Sequence, residues 1–195
     1  MSDALILGFD TSAAHCAAAL LCGDRVIAAL SEDMTRGQAE RLIPLLEDVL
    51  AQGGVGWGDL ARIGVGVGPG NFTGIRIAVS AARGLALGLG IPAVGVSNFD
   101  AQSLDQAGPH LPVVPAPRGQ VYAQAPGGVA MLVDLAQASA MGLPLCPPLP
   151  PAEMAARIAR IAAARDVTGM APPAPLYLKP ADAAPARDQA PTLLE

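Results

Sequence analysis

Residues 64–97 read GVGVGPGNFTGIRIAVSAARGLALGLGIPAVGVS. Their pattern predicts a strand, a glycine-rich loop, a helix of small residues and a second strand. From Ile63 to Val67 bulky residues alternate with glycines. One face of that strand therefore carries side chains, and the other admits a neighbouring backbone at close range. Gly68-Pro69-Gly70 stops the strand, because proline donates no ladder hydrogen bond and glycine tolerates positive φ. Asn71 or Thr73 then caps a helix from about Gly74 to Gly88. This helix carries Ala78, Ala81, Ala82, Gly84, Ala86 and Gly88 among Ile77, Val79 and Leu85. It is apolar nearly all round, so it needs burial on more than one side. The rest of the chain is too slight to cover it fully, and part of its surface is expected to face another subunit.

Working outward, Ala4 to Phe9 is continuously apolar, as in a strand covered on both faces. It ends in three short polar residues, Asp10-Thr11-Ser12. Cys16 to Leu21 and Val26 to Leu30 form a hairpin about Gly23-Asp24. A simple dinucleotide-binding unit would place a helix straight after its first strand, so that fold loses ground. Gly37 to Gln52 is a helix whose Leu42, Leu45, Leu46, Val49 and Leu50 make one apolar stripe. Pro44 removes a backbone hydrogen bond and predicts a kink or a late start. Beyond Ser97, a short helix is expected over Asp100 to Gln106 and strands at Val113-Val114, Gln120 to Gln124 and Met131 to Leu135. A helix follows from about Ala152 to Ala164, and an irregular Pro- and Ala-rich tail begins at Ala171. Within that tail, Leu176 to Lys179 is the segment expected to dock.

The 195 residues carry a net charge of −5, which argues against a protein that grips nucleic acid alone. The longest uncharged apolar run, Gly84 to Val96, is too short to span a bilayer. No basic leader precedes Asp10. Cys16, Cys22 and Cys146 lack metal spacing and read as reduced core cysteines. These features predict a soluble cytoplasmic protein with no membrane contact.

The loop Gly68 to Gly74 fits neither G-x-x-x-x-G-K-[ST] nor G-x-G-x-x-G. A tight turn or a general anion site at the helix N-terminus remains. Arg76 opposes the helix dipole and is expected to pair with a carboxylate or anion, or to be solvated. Asp10, Thr11 and Ser12 end the first strand, where open α/β sheets place ligand groups. There Asp10 could hold a metal or a phosphate-bound water, or cap the next turn. His15 and His110 have no carboxylate pattern near them in sequence, and Ser80 and Ser97 have no evident base. The chain shows almost no catalytic equipment of its own.

Asp10-Thr11-Ser12, the helix segment Gln38 to Pro44, and above all GPGNFTGIRIAVSAARGLALGLGIPAVGVS resemble bacterial TsaB. Pro117 to Tyr122 and Leu176 to Lys179 are weaker matches. TsaB is the family of non-catalytic subunits in tRNA threonylcarbamoyladenosine formation. The resemblance implies an α/β, actin-like (ribonuclease-H-like) fold in two lobes, the second reduced. Residues 1–99 form the lobe with the partner-binding helices, and residues 100–195 the smaller lobe and tail. It implies a heterodimer with the catalytic paralogue TsaD through the first two helices, cooperation with the ATPase TsaE, and only indirect contact with tRNA. A homodimer when alone is a further expectation. Within those helices the contacts expected are Arg41, Leu42, Leu45, Leu46 and Val49, then Arg76, Ile77, Ser80 and Arg83. Asp10, Thr11 and Ser12 would be a vestigial ligand site. No cofactor of its own is expected, although a nucleotide at the partner interface is allowed. Gln38 stands where many relatives have a metal-binding histidine, so no metal is expected. The rival from another class is an actin-fold ATPase or phosphotransferase using Asp10 and Thr11.

Overall fold

Leu5–Asp10 (β1) is the central strand of a five-stranded sheet. The structure is a computed structural model and describes residues 3–178. His15–Cys22 (β2) and Arg25–Asp33 (β3) follow β1 as an antiparallel meander. Leu60–Gly66 (β4) and Ala93–Val96 (β5) extend the other side in parallel, giving the order β3-β2-β1-β4-β5. Because strand side chains alternate, Leu7, Phe9, Cys16, Ala18, Leu20, Ile63 and Val65 share one face. Ile6, Leu21, Val94 and Val96 share the other.

Two helices cover the first face. Gln38–Gly53 (α1) runs unbroken through Pro44, so the late start expected there does not occur. Its leucine stripe is buried on the sheet, and Gly54 ends it in the left-handed region at φ 69°. Phe72–Leu89 (α2) begins two residues earlier than its periodicity predicts, because Asn71 Oδ1 accepts the Gly74 N–H at 2.9 Å. By length and composition α2 is apolar enough to cross a membrane. Here Gly74, Ile75, Ala78, Val79 and Ala82 are buried on the sheet.

The opposite face is covered from far along the chain by Pro151–Ala164 (α5). Glycines in β1 and β4 allow this, as the alternation around Ile63–Val67 predicts. A Cβ on Gly8 would meet Ala155 O and lie 2.7 Å from Ala159 N. One on Gly64 would lie 2.9 Å from both Ile158 O and Ala162 Cβ. Small residues on both partners thus bring the helix backbone almost onto the strands. Three guanidinium groups fix the layer. Arg62 donates to Ala162 O, Ala163 O and Arg165 O, carbonyls at the end of α5. Arg157 donates to Leu104 O at 2.6 Å, and Arg165 to Gly95 O at 2.6 Å. Helix carbonyls without intrahelical partners take cations well.

Asn98–Ser103 (α3) leads away from β5, its start set by Ser97, whose Oγ accepts the Asp100 N–H at 3.0 Å. It starts two residues earlier and ends three residues earlier than the helix expected over Asp100–Gln106. The second sheet comprises Val113–Pro115 (β6), Gln120–Ala123 (β7) and Met131–Asp134 (β8), antiparallel in the order β6-β7-β8. Leu135–Ser139 (α4) packs beside it, with Ala138 buried in a cluster with Leu111, Val121 and Ala123. After α5 the chain returns without regular structure. Pro173 lies against Gly95, and Leu176 donates its N–H to Val67 O at 2.8 Å. Lys179, the last residue of the docking segment expected, lies outside the described residues with the remainder of the tail.

Candidate functional site

The corner at the end of β1 and the glycine loop after β4 interlock. Asp10 Oδ2 accepts from Ser12 N–H at 3.1 Å and Ser12 Oγ at 2.9 Å, and lies 2.8 Å from His15 Nε2. A Cβ on Gly66, Gly70 or Gly74 would collide with Asp10 Oδ1, Ser12 O or Thr11 O respectively. The spacing of these three glycines is therefore set by Asp10, Thr11 and Ser12. Cross-links complete the junction. Thr11 Oγ1 donates to Gly74 O at 2.7 Å and Asn71 N–H to Ser12 O at 2.6 Å. Asn98 Nδ2 donates to Ser12 Oγ at 2.8 Å and Pro69 O at 2.9 Å.

The sequence finds no carboxylate for His15 and does not point to Asn98, yet both belong to this junction. His15 is the first residue of β2, and only the antiparallel return of the hairpin brings its ring to Asp10. Asn98 lies two residues past the end of β5, so the strand-end rule applied to Asp10 to Ser12 could have found it. His110 takes no part; its Nδ1 lies 2.7 Å from Gly108 O.

Chemically most of the junction is satisfied within the chain; among the described residues, Asp10 Oδ1 and Asn98 Oδ1 are its buried side-chain atoms without a hydrogen-bond partner. Ser12 and His15 both face the same Asp10 oxygen, an order in which aspartate sits between the other two. A hydrolytic triad needs the imidazole between nucleophile and carboxylate. The Asn71 and Gly74 N–H groups, which an anion at the start of α2 would use, already serve Ser12 O and Asn71 Oδ1. Among the described residues no three His, Cys, Asp or Glu side chains are placed to share a metal ion. Burial, assisted by the Glu32 charge, pushes the Cys16 thiol up to about 11 and away from nucleophilic use. Beside the junction lies an open cleft of about 610 Å³ between the two sheets, lined by Ser12, Asn71, Arg118, Gln120, Tyr122 and Tyr177.

The outward faces of α1 and α2 form the second candidate surface, and here the structure corrects the sequence reading. Leu42, Leu45, Leu46 and Val49 are all 0–1% exposed in the chain's own core. They cannot be partner contacts, because the sheet takes the whole stripe. Ile43, off the stripe, is the exposed one at 37%. Arg41 is fixed within the chain: Nε donates to Glu32 Oε2 at 2.9 Å and Nη2 to Asp48 Oδ2 at 2.7 Å. The Arg41 hydrogen bond in turn holds the Glu32 carboxyl below its ordinary range. On α2, Arg76, Ser80 and Arg83 are exposed and Ile77 half-buried. The Arg76 guanidinium lies 4.8 Å over the Phe72 ring rather than against a carboxylate. Leu87, 86% exposed, extends the same face and is a large apolar residue among these polar ones.

A meander followed by parallel strands in the order β3-β2-β1-β4-β5, with helices on both faces and a second small lobe, defines an actin-like α/β protein. The family profile described as "TsaD: tRNA N6-adenosine threonylcarbamoyltransferase" matches residues 30–141. The TsaB protein of Haemophilus influenzae is 32% identical over 128 residues, covering 63% of this chain and 53% of that protein. The TsaB protein of Escherichia coli is 38% identical over 94 residues, covering 48% and 40%. A solved Pseudomonas aeruginosa structure, described as similar to peptidase YEAZ, superposes with a TM-score of 0.71 at 27% identity, covering 90% of this chain and all of that one. The chain belongs to the TsaD family, in its TsaB branch. The matched segments span about half the length of the curated relatives.

Proposed function

We propose that the chain is a non-catalytic subunit in tRNA threonylcarbamoyladenosine formation that binds and activates the TsaD transferase in the cytoplasm. The observation that carries this reading is the largely internal hydrogen bonding of the Asp10–Ser12 junction. Its hydroxyls, Asp10 Oδ2 and two N–H groups at the start of α2 are engaged inside the chain, while Ile43, Phe72 and Leu87 stand exposed among charged and polar residues on the outer faces of α1 and α2. The docking surface in this reading is Ile43 on α1 with Phe72, Arg76, Ser80, Arg83 and Leu87 on α2. Arginine and aromatic side chains there suit interface anchors. A nucleotide at the interface with TsaD and cooperation with TsaE belong to the same proposal. So does self-pairing of this face in the absence of TsaD.

Co-purification with TsaD tests it, with an Arg76→Glu/Leu87→Asp variant expected to lose binding while keeping its melting temperature. Normal adenosine modification in a strain lacking the chain overturns it. The cleft beside Ser12 favours one rival, an ATPase or phosphotransferase using Asp10 and Thr11. Calorimetry with ATP and magnesium on the isolated chain distinguishes the two, since turnover supports the rival alone.

A further inference from the structure

Residues 173–178 are built into both lobes at once. Pro173 is buried against Gly95, and a Cβ on Gly95 would sit 3.2 Å from its ring carbon. Leu176 packs on the first-lobe core and holds the end of β4 through Val67 O. A Cβ on Gly68 would lie 3.3 Å from Leu176 O, so the strap rests directly on the glycine loop. Two residues on, Leu178 packs into the cluster of Val114 and Tyr122 from the second lobe and Phe99 at the boundary between the lobes. Between these anchors Tyr177 stacks on Phe72 with ring centres 4.8 Å apart, and Arg76 covers the same Phe72 ring. Tyr177 and Leu178 both line the cleft.

We propose that residues 173–178 are a latch that couples closure of the cleft between the lobes to the conformation of the first turn of α2. The reach of the chain supplies the coupling. Two residues span about 7 Å at full extension, so the anchors at Leu176 and Leu178 have little slack. Opening the cleft further lifts one anchor from its seat. Either release draws Tyr177 off Phe72 and frees that ring and Arg76 to move. The mouth of the cleft and the start of α2 thus share one two-state element. This inference uses contacts within the chain and stands whether or not TsaD is the partner.

Hydrogen–deuterium exchange on the full chain tests it, perturbing one lobe and reading the other. Leu178→Ala removes the second-lobe anchor at a half-buried position. Exchange is expected to rise at least tenfold in peptides covering 174–178 and 67–76, with β1 to β3 unchanged. Tyr177→Ala, which leaves both anchors, should raise exchange at 70–76 and leave Leu176 protected. A rise confined to 174–178 in Leu178→Ala overturns the coupling, and so does a uniform rise across β1 to β3, which marks general destabilisation.

Discussion

Replacing Gly8 by alanine tests the packing of α5 most directly. The added Cβ would lie 2.7 Å from Ala159 N and 2.8 Å from Ala159 Cβ, and would also meet Ala155 O. Comfortable carbon contacts fall at about 3.5–4.0 Å, so α5 must retreat by about 1 Å. Two of the three obstacles are backbone atoms, which no rotamer change can move aside. Overpacking of this kind costs about 1–3 kcal/mol, and the rigid obstacles favour the upper part of that range. Alanine gives back about 0.5–1 kcal/mol, since glycine loses more freedom on folding. The net loss is about 2 kcal/mol, or a melting temperature lower by roughly 4–8 °C for a chain of this size. Thermal unfolding followed by circular dichroism measures it. A melting temperature within a degree of the parent chain would refute the claim that α5 rests on the glycine face of β1.

Gly84→Ala sits in the middle of α2 with nothing within 4 Å of the new Cβ. It should stabilise by about 0.5–1 kcal/mol in the same melts. Arg62→Met leaves the carbonyls at the end of α5 without their donor and should lower stability by about 1–3 kcal/mol in urea unfolding. Cys16 makes stability pH-dependent at the alkaline end. Its thiol is raised from 9.0 to about 11 on folding, so the native state retains a proton that the unfolded chain releases. That contribution is complete below pH 9 and falls by at most about 1.4 kcal/mol per pH unit up to about pH 11, measurable by urea unfolding of the parent chain against Cys16→Ala. In the native protein a thiol reagent should reach the partly exposed Cys22 well before the buried Cys16 and Cys146.

The sequence makes the first lobe legible because its signals are local. Alternation at Ile63–Val67 identifies β4 and its glycine face, and the stripe from Leu42 to Leu50 identifies α1. Local pattern cannot say who covers a face. Leu42, Leu45, Leu46 and Val49 have the same spacing whether they meet a sheet or another subunit, and here the sheet takes them all. The junction was half legible. Asp10, Thr11 and Ser12 stand out as polar residues ending a buried strand, whereas His15 reaches Asp10 only through the hairpin register and Asn98 only through a parallel neighbour. Thr11 and Gly74 touch across 63 positions of sequence, a relation that spacing rules do not encode. Arg62 is likewise silent in sequence, its acceptors being backbone carbonyls that carry no residue identity.

The placement of α5 also sets the order in which the protein can be completed during synthesis. β1, β2, β4 and β5 and both helices of the first face are all encoded by residue 96. Their second face waits for residues 151–164. At roughly 5–20 residues per second that interval lasts some 3–14 seconds, during which the Gly and Ala face of the sheet has no cover from its own chain. A ribosome pause before Ala164 would prolong the exposure of Ile6, Leu21, Val94 and Val96 on that face, the kind of transient apolar surface from which misassembly begins.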